Sequence, residues 1–266
     1  MTSDNARPKQ AVLVLSGIGL TAGVAARTIA SLRPHFEIVA APQDRAVTTA
    51  DEALALLDRA KTDRAHVLGL SFGASVAQEV AIRHPERVRS LVLGSSTAGG
   101  RLYVPPSRAT RQFVRRLADL PAEEGLWAAV PYLYADTTCR GCAPLIGEDI
   151  AERLAGRLDP HAYRRQHAIA RAHNIAERAH EITAPTLVIH GEHDRVLPRE
   201  NGRQLAGAIP GAEFIEVSAG AHAFPTDVLG ANQEIVRFLR AHTQRRRATP
   251  TPKSSPTART SRATPA

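Results

Sequence analysis

Short apolar runs alternating with longer segments of helical periodicity constrain the fold of this chain more than any other feature. The runs lie at residues 11–16 (AVLVLS), 36–40 (FEIVA), 65–69 (AHVLG), 90–94 (SLVLG), 186–190 (TLVIH) and 212–216 (AEFIE). Apolar character with little alternation is what a strand covered on both faces requires, and crossover helices on both sides of a parallel sheet cover it in that way. Helices are expected between the runs at about 21–32, 49–59, 72–84, 199–208 and 226–242. The expected fold class is therefore α/β, doubly wound, with a mostly parallel sheet of at least six strands.

One interval breaks the rhythm. Residues 102–182 hold no strand candidate, only helical stretches around 107–119, 122–135, 149–158 and 162–180. This insertion begins just past the carboxyl end of the SLVLG run, on the rim where open α/β sheets bind ligands. The expected organisation is a core from residues 1–101 and 183–242, with 102–182 as a helical cap over the site. Residues 243–266 (TQRRRATPTPKSSPTARTSRATPA) have almost no large apolar side chain and are expected to be a disordered basic tail.

Composition narrows the function classes. With 43% hydrophobic and 23% charged residues, collagen-like, membrane-spanning and wholly disordered readings drop out. Aromatics make up only 4%, so the core must be mainly aliphatic. Of the net charge of +8, all but two units come from Arg245, Arg246, Arg247, Lys253, Arg259 and Arg262 in the tail. The basicity belongs to that segment, and no nucleic-acid partner is expected of the body. The chain's two cysteines exclude a disulfide-rich secreted scaffold. The polar start MTSDNARPKQ carries no signal-peptide pattern, and the longest apolar run, 11–26, is too short for a bilayer. A cytoplasmic protein without a membrane partner is the expectation; oligomeric state stays open.

Gly69-Leu70-Ser71-Phe72-Gly73 fits G-x-S-x-G, a pattern that arises by chance in roughly one chain of this length in ten. Its setting is what gives it weight: it follows one strand and opens a helix, the sharp turn that exposes a serine hydroxyl at the top of a sheet. Side chains at 69 and 73 would collide with neighbouring backbone in so tight a turn. A hydroxyl becomes a nucleophile only when a base takes its proton and a third group orients that base. Asp194 stands in the loop after TLVIH and His222 in the loop after AEFIE, giving Ser71, Asp194, His222 in chain order on one rim.

The segments LSGIGLTA, AHVLGLSFGASVAQEVAIRHPERVRSLVLGSS, APTLVIHGEHDRVLP and AGAHAFP resemble the α/β-hydrolase superfamily, in particular its group of 3-oxoadipate enol-lactonases, esterases and cofactor-free haloperoxidases. The likeness runs over about residues 10–241. It implies Ser71 as nucleophile, Asp194 as acid and His222 as base, with the backbone N–H groups of Phe72 and Ile18 as oxyanion-hole donors. It also implies no metal and no organic cofactor. Ser16-Gly17 stands where relatives usually have His-Gly, and AAPQDRAVTTAD replaces their G-x-G-x-S loop.

Other chemistry-bearing residues have plainer readings. Glu192 competes with Asp194 as the acid. Cys139 and Cys142 form half of a metal knuckle with no second pair and read as two thiols in a cap loop. His161, His167, His173 and His180 are spaced six or seven apart and point in different directions on a helix. His190 and His193 flank Glu192 without the H-E-x-x-H spacing. The leading expectation is a serine hydrolase acting on a small-molecule ester or lactone through an acyl-enzyme on Ser71. The cap mixes apolar Val114, Leu126, Trp127 and Val130 with several arginines, so the substrate can bear a carboxylate. The alternatives are a C–O lyase (elimination) or acyltransferase on the same fold, and a non-catalytic ligand receptor.

Overall fold

The structure, a computed structural model, describes residues 9–18, 23–42, 46–117, 120–156 and 160–243. The expected disordered tail lies outside the described residues apart from Thr243, as do residues 21–22 of the first expected helix. Six strands, β1 (Ala11–Leu15), β2 (Glu37–Ala40), β3 (Ala65–Leu70), β4 (Val88–Gly94), β5 (Thr186–Gly191) and β6 (Glu213–Val217), form one sheet in the order β2-β1-β3-β4-β5-β6. Every pairing is parallel, with Leu15 opposite Gly69, Leu70 opposite Gly94, and Gly191 opposite Val217.

Side-chain alternation sorts each strand onto two buried layers. Leu13, Leu15, Val67, Leu91, Leu93 and Val188 face α2 (Ala50–Arg59), α3 (Phe72–Arg83) and α9 (Glu200–Ala208). Val12, Val14, Leu68, Val92, Leu187 and Ile189 face α1 (Gly23–Leu32) and α11 (Leu229–Ala241). This two-sided cover is what the apolar strand runs demand. Helix α2 is held at its start by Thr49, whose hydroxyl accepts the Glu52 N–H, while Glu52 accepts the Thr48 N–H. That reciprocal pair satisfies two donors that would otherwise lack partners.

Between β4 and β5 the chain forms α4 (Arg108–Leu117), α5 (Ala122–Leu133), α6 (Asp136–Gly141), α7 (Ala143–Ala155) and α8 (Pro160–Ala172). Four details of the chain from this interval onward depart from the sequence expectation. The stretch expected as a loop around Cys139 is helical: Cys139 lies on α6 and Cys142 joins α6 to α7, with both thiols free. Helix α7 starts at 143 rather than 149, with Pro144 in its first turn, where a missing N–H costs nothing. The helix expected to run to 180 stops at 172, because the chain turns to bridge Gly99 through Asn174, and Ile175 donates its N–H to the Ala98 carbonyl at 2.8 Å. That turn buries Ile175 and Ala179 against the sheet layer, burial worth more than a further helical turn. The last expected helix is divided at the extended residue Val228 into α10 (Phe224–Asp227) and α11. No helix among the described residues is long and apolar enough to cross a membrane.

Two histidines, His66 buried and His173 half-buried, tie the elements that carry the site. His66 of β3 donates from Nε2 to Gln10 Oε1 at 3.1 Å and accepts at Nδ1 from Ser90 of β4 at 2.7 Å. His173 donates to Gln78 Oε1 of α3 at 3.0 Å, while Gln78 Nε2 donates to Ser96 and to the Thr97 carbonyl. Burial, with the charges of Arg89, His242 and Arg64, lowers His66 to about 3. Burial lowers His173 to about 4 against an opposing hydrogen bond to Thr97. Unfolded histidine titrates near 6.5, so between about pH 6.5 and pH 4 the unfolded chain binds more protons than the folded one. Stability is full above that window and is lost as the pH falls through it. Urea unfolding at pH 7 and pH 5 should show a loss of up to about 1.4 kcal/mol per pH unit from each ring; a flat profile over this range would contradict the burial of both.

Candidate active site

The turn from β3 into α3 forces Ser71 into a backbone conformation that L-residues rarely adopt, with φ 53° and ψ −119°. Two contacts hold it there. The Ser71 N–H donates to the Gly94 carbonyl at 2.8 Å, and the Ala74 N–H donates back to the Ser71 carbonyl at 3.0 Å. Glycine is required on both sides. A Cβ at Gly69 would lie 2.5 Å from the Ala74 Cα, and one at Gly73 would lie 2.1 Å from the Leu15 carbonyl oxygen. The first turn of α3 thus sits directly on the end of β1, bringing the segment Ser16-Gly17-Ile18 beside the serine. Ile18 packs against the same apolar layer as Phe72, and the Phe72 N–H is among the first-turn donors that a helix leaves free.

The other two side chains arrive from loops after β5 and β6. Ser71 Oγ donates to His222 Nε2 at 3.0 Å, and His222 Nδ1 donates to Asp194 Oδ2 at 2.8 Å. Asp194 is wholly enclosed. Its Oδ1 accepts the N–H groups of Val196 at 2.9 Å and Leu197 at 2.8 Å. Burial by itself would raise this carboxyl, but the charge of His222 and the hydrogen bonds from His190 and His222 outweigh it and hold Asp194 well below the usual carboxylate range. The Asp194 carboxylate is thus held ionised against the His222 ring, which lets it orient an imidazole.

Glu192, the rival acid, turns away from this row: it pairs with Arg199 at 3.4 Å and accepts from Ser218 at 3.3 Å. The loop carrying His222 is pinned from several sides. Gly191 passes so close that a Cβ there would meet the Ala221 carbonyl oxygen at 2.1 Å. Ser95 Oγ donates to the His222 carbonyl at 3.1 Å. Asp227 accepts the Ala221 N–H at 2.8 Å with one oxygen and the Ala135 N–H at 3.0 Å with the other, and the Ala223 N–H donates to the Leu133 carbonyl at 2.7 Å. The His222 loop is therefore fastened to the end of α5 as well as to the sheet.

Sequence reasoning passed over two residues. His190, which the sequence offers only as a neighbour of Glu192, lies fully buried with Nε2 3.1 Å from Asp194 Oδ2. Arg153 of α7, one arginine among many in the sequence, is 9% exposed, and its Nε is buried with no hydrogen-bond partner. A buried arginine has no signature in the residue string beyond its place on the stripe Ile146, Asp149, Ile150, Arg153. Among the remaining histidines His167 packs edge-on against Tyr163 and His173 belongs to the Gln78 cluster. Among the described residues no group of three His, Cys, Asp or Glu could hold a metal ion.

The family model described as "Hydrolase_4: Serine aminopeptidase, S33" matches residues 39–228. A 2-hydroxy-6-oxononadienedioate/2-hydroxy-6-oxononatrienedioate hydrolase of Cupriavidus pinatubonensis is 32% identical over 170 residues, which are 60% of this chain. That match spans 56% of the relative's own length. Among solved structures, the enol-lactonase of Burkholderia xenovorans LB400 aligns with TM-score 0.74 at 22% identity, covering 87% of this chain and 92% of that one. A thermophilic esterase of Thermogutta terrifontis aligns with TM-score 0.72 at 22% identity, over 88% and 91% of the two chains. At such identities the structural likeness speaks for the fold.

The crowding at position 73 yields a direct test. Gly73→Ala should lower the unfolding free energy by at least about 2 kcal/mol, since the methyl has only backbone to push against. A urea midpoint unchanged from that of the parent would show that α3 does not rest on β1 as described.

Proposed function

The chain belongs to the Hydrolase_4 family of the α/β-hydrolase superfamily, and from that premise we propose that it is a serine hydrolase cleaving a small ester or lactone through an acyl-enzyme on Ser71. The observation that carries this reading is the unbroken row from Ser71 Oγ through the His222 ring to Asp194, at 3.0 Å and 2.8 Å. His222 Nε2 takes the Ser71 proton as the hydroxyl oxygen attacks the substrate carbonyl. Asp194 holds the ring in the tautomer that leaves Nε2 free to accept, and it stabilises the imidazolium that forms. The N–H groups of Phe72 and Ile18 take up the charge on the carbonyl oxygen. As the tetrahedral adduct collapses, the proton on Nε2 passes to the departing alkoxide. Water, deprotonated by the same nitrogen, then releases the acid and restores the Ser71 hydroxyl.

In this reading residues 102–182 form a cap over a core made of 1–101 and 183–242. Support comes from the Ala223–Leu133 and Asp227–Ala135 hydrogen bonds and from the cluster of Tyr134, Ile146 and Ile150 with Ala223, the residue after His222.

Arg153 supports a finer statement about the substrate. It extends the inward stripe of α7 beyond Ile150, and its charge acts on the hydroxyls of buried Tyr134 and half-buried Tyr163. A guanidinium stays protonated, and enclosing it without a counter-charge costs several kcal/mol. Among the described residues no carboxylate pairs with it. A substrate carboxylate, whose two oxygens match the guanidinium fork, would supply that charge. The proposed substrate is an ester or lactone with an acidic group.

A fluorophosphonate probe should label the protein, and the label should disappear in Ser71→Ala and His222→Ala. Turnover that survives Ser71→Ala would end the acyl-enzyme reading. Arg153→Met should cost about tenfold or more in kcat/KM on a p-nitrophenyl monoester of a dicarboxylic acid and little on a neutral ester of equal length. Equal losses on the two would remove the carboxylate from the proposal.

A further inference from the structure

His190 is the penultimate residue of β5, and its side chain is completely enclosed. Its ring has a single polar attachment point. Nε2 lies 2.8 Å from the Leu197 carbonyl oxygen and 3.1 Å from Asp194 Oδ2. Both neighbours only accept, so Nε2 carries the hydrogen and shares it between them. Nδ1 is buried and has no hydrogen-bond partner. It faces Gly202 of α9, where a Cβ would come within 2.5 Å. A buried nitrogen without a partner costs roughly 1–3 kcal/mol, and a leucine of similar length would avoid that cost. The chain therefore keeps, at a site suited to an aliphatic residue, a ring whose polar service goes to two acceptors in the segment that carries the acidic side chain, the Leu197 carbonyl oxygen and Asp194 Oδ2.

That service completes the carboxylate's donor set. Oδ1 takes the Val196 and Leu197 N–H groups, and Oδ2 takes His222 Nδ1 and His190 Nε2. The backbone pair fixes one oxygen. The other, the one that orients the base, is fixed only by the two rings. Without His190 the carboxylate can rock about its Cβ–Cγ bond, and Oδ2 is left with His222 as its single side-chain donor. We propose that His190 is a positioning residue for hydrolysis: its Nε2–H clamps Asp194 Oδ2 so that the carboxylate presents one fixed oxygen to His222 and shares rather than concentrates its charge there. The inference rests on the assignment of Ser71, His222 and Asp194 as the working row. The titratable group against the ring is Asp194, with His222 behind it; Leu197 and Gly202 contribute only backbone.

Three variants test it, with p-nitrophenyl butyrate as substrate. His190→Leu should lower kcat about tenfold or more while KM stays within about twofold, because misplacing a catalytic group by less than 1 Å affects the transition state and not ground-state binding. The acid limb of its kcat/KM profile should move to higher pH, since Oδ2 then pulls harder on the His222 proton. His190→Gln, whose side-chain amide keeps an N–H at about the reach of Nε2, should recover most of the rate and return the limb. Gly202→Ala leaves His190 present but drives a methyl towards Nδ1, and should reproduce the rate loss and the shift in milder form. A normal kcat in His190→Leu overturns the proposal. So does a loss that glutamine does not relieve and that leaves the pH profile in place, which is the signature of packing alone. If His190→Leu fails to fold, the glutamine and Gly202 variants decide the matter by the same criteria. Fluorophosphonate labelling of the parent separates the two levels: a labelled parent with an indifferent His190 loses only this inference, whereas an unlabelled parent loses the hydrolase reading itself.

Discussion

The carbonyl of Leu15 stands so close to position 73 that no side chain fits between them, and most of the site follows from that one approach. It fixes the height of α3 above the end of β1, and so the sharpness of the turn at Ser71, whose strained φ of 53° persists only because backbone on both sides leaves it no alternative. It also brings the segment after β1 into contact with the start of α3. Strain at the serine, a free N–H at the helix start and a neighbouring loop are therefore three results of one piece of packing.

Most of the core was readable from the residue string because each strand's burial is written locally. TLVIH and SLVLG permit little besides a covered parallel strand, and the loops after them had to emerge on one rim. The same logic places Ser71, Asp194 and His222 on that rim from the residue order alone. Legibility failed where the deciding contact is remote. The helix before His173 ends early because Asn174 and Ile175 find partners in Gly99 and Ala98, more than seventy residues away. The segment around Cys139 is helical because α6 and α7 pack beneath α5, and periodicity over six residues cannot report that.

His190 and Arg153 show a different kind of silence. Neither belongs to a motif that the chemistry would demand, and each matters through what its polar atoms meet or fail to meet. A histidine flanking G-E-H-D reads as a possible metal ligand until its Nε2 is found on Asp194. An arginine on a helix reads as a solvated charge until its burial is seen. Enclosed polar groups are expensive, so their partners, or the lack of them, carry information that composition and spacing do not.

Asp227 links two segments that lie far apart in the sequence. One of its oxygens grips the backbone just ahead of His222 and the other grips the junction of α5 and α6. A shift of that junction would pull on the loop that holds His222 3.0 Å from Ser71 Oγ. Removing the Asp227 carboxylate would therefore orphan two backbone donors at once, so a single side chain sets both the seat of α5 and the place of the His222 loop.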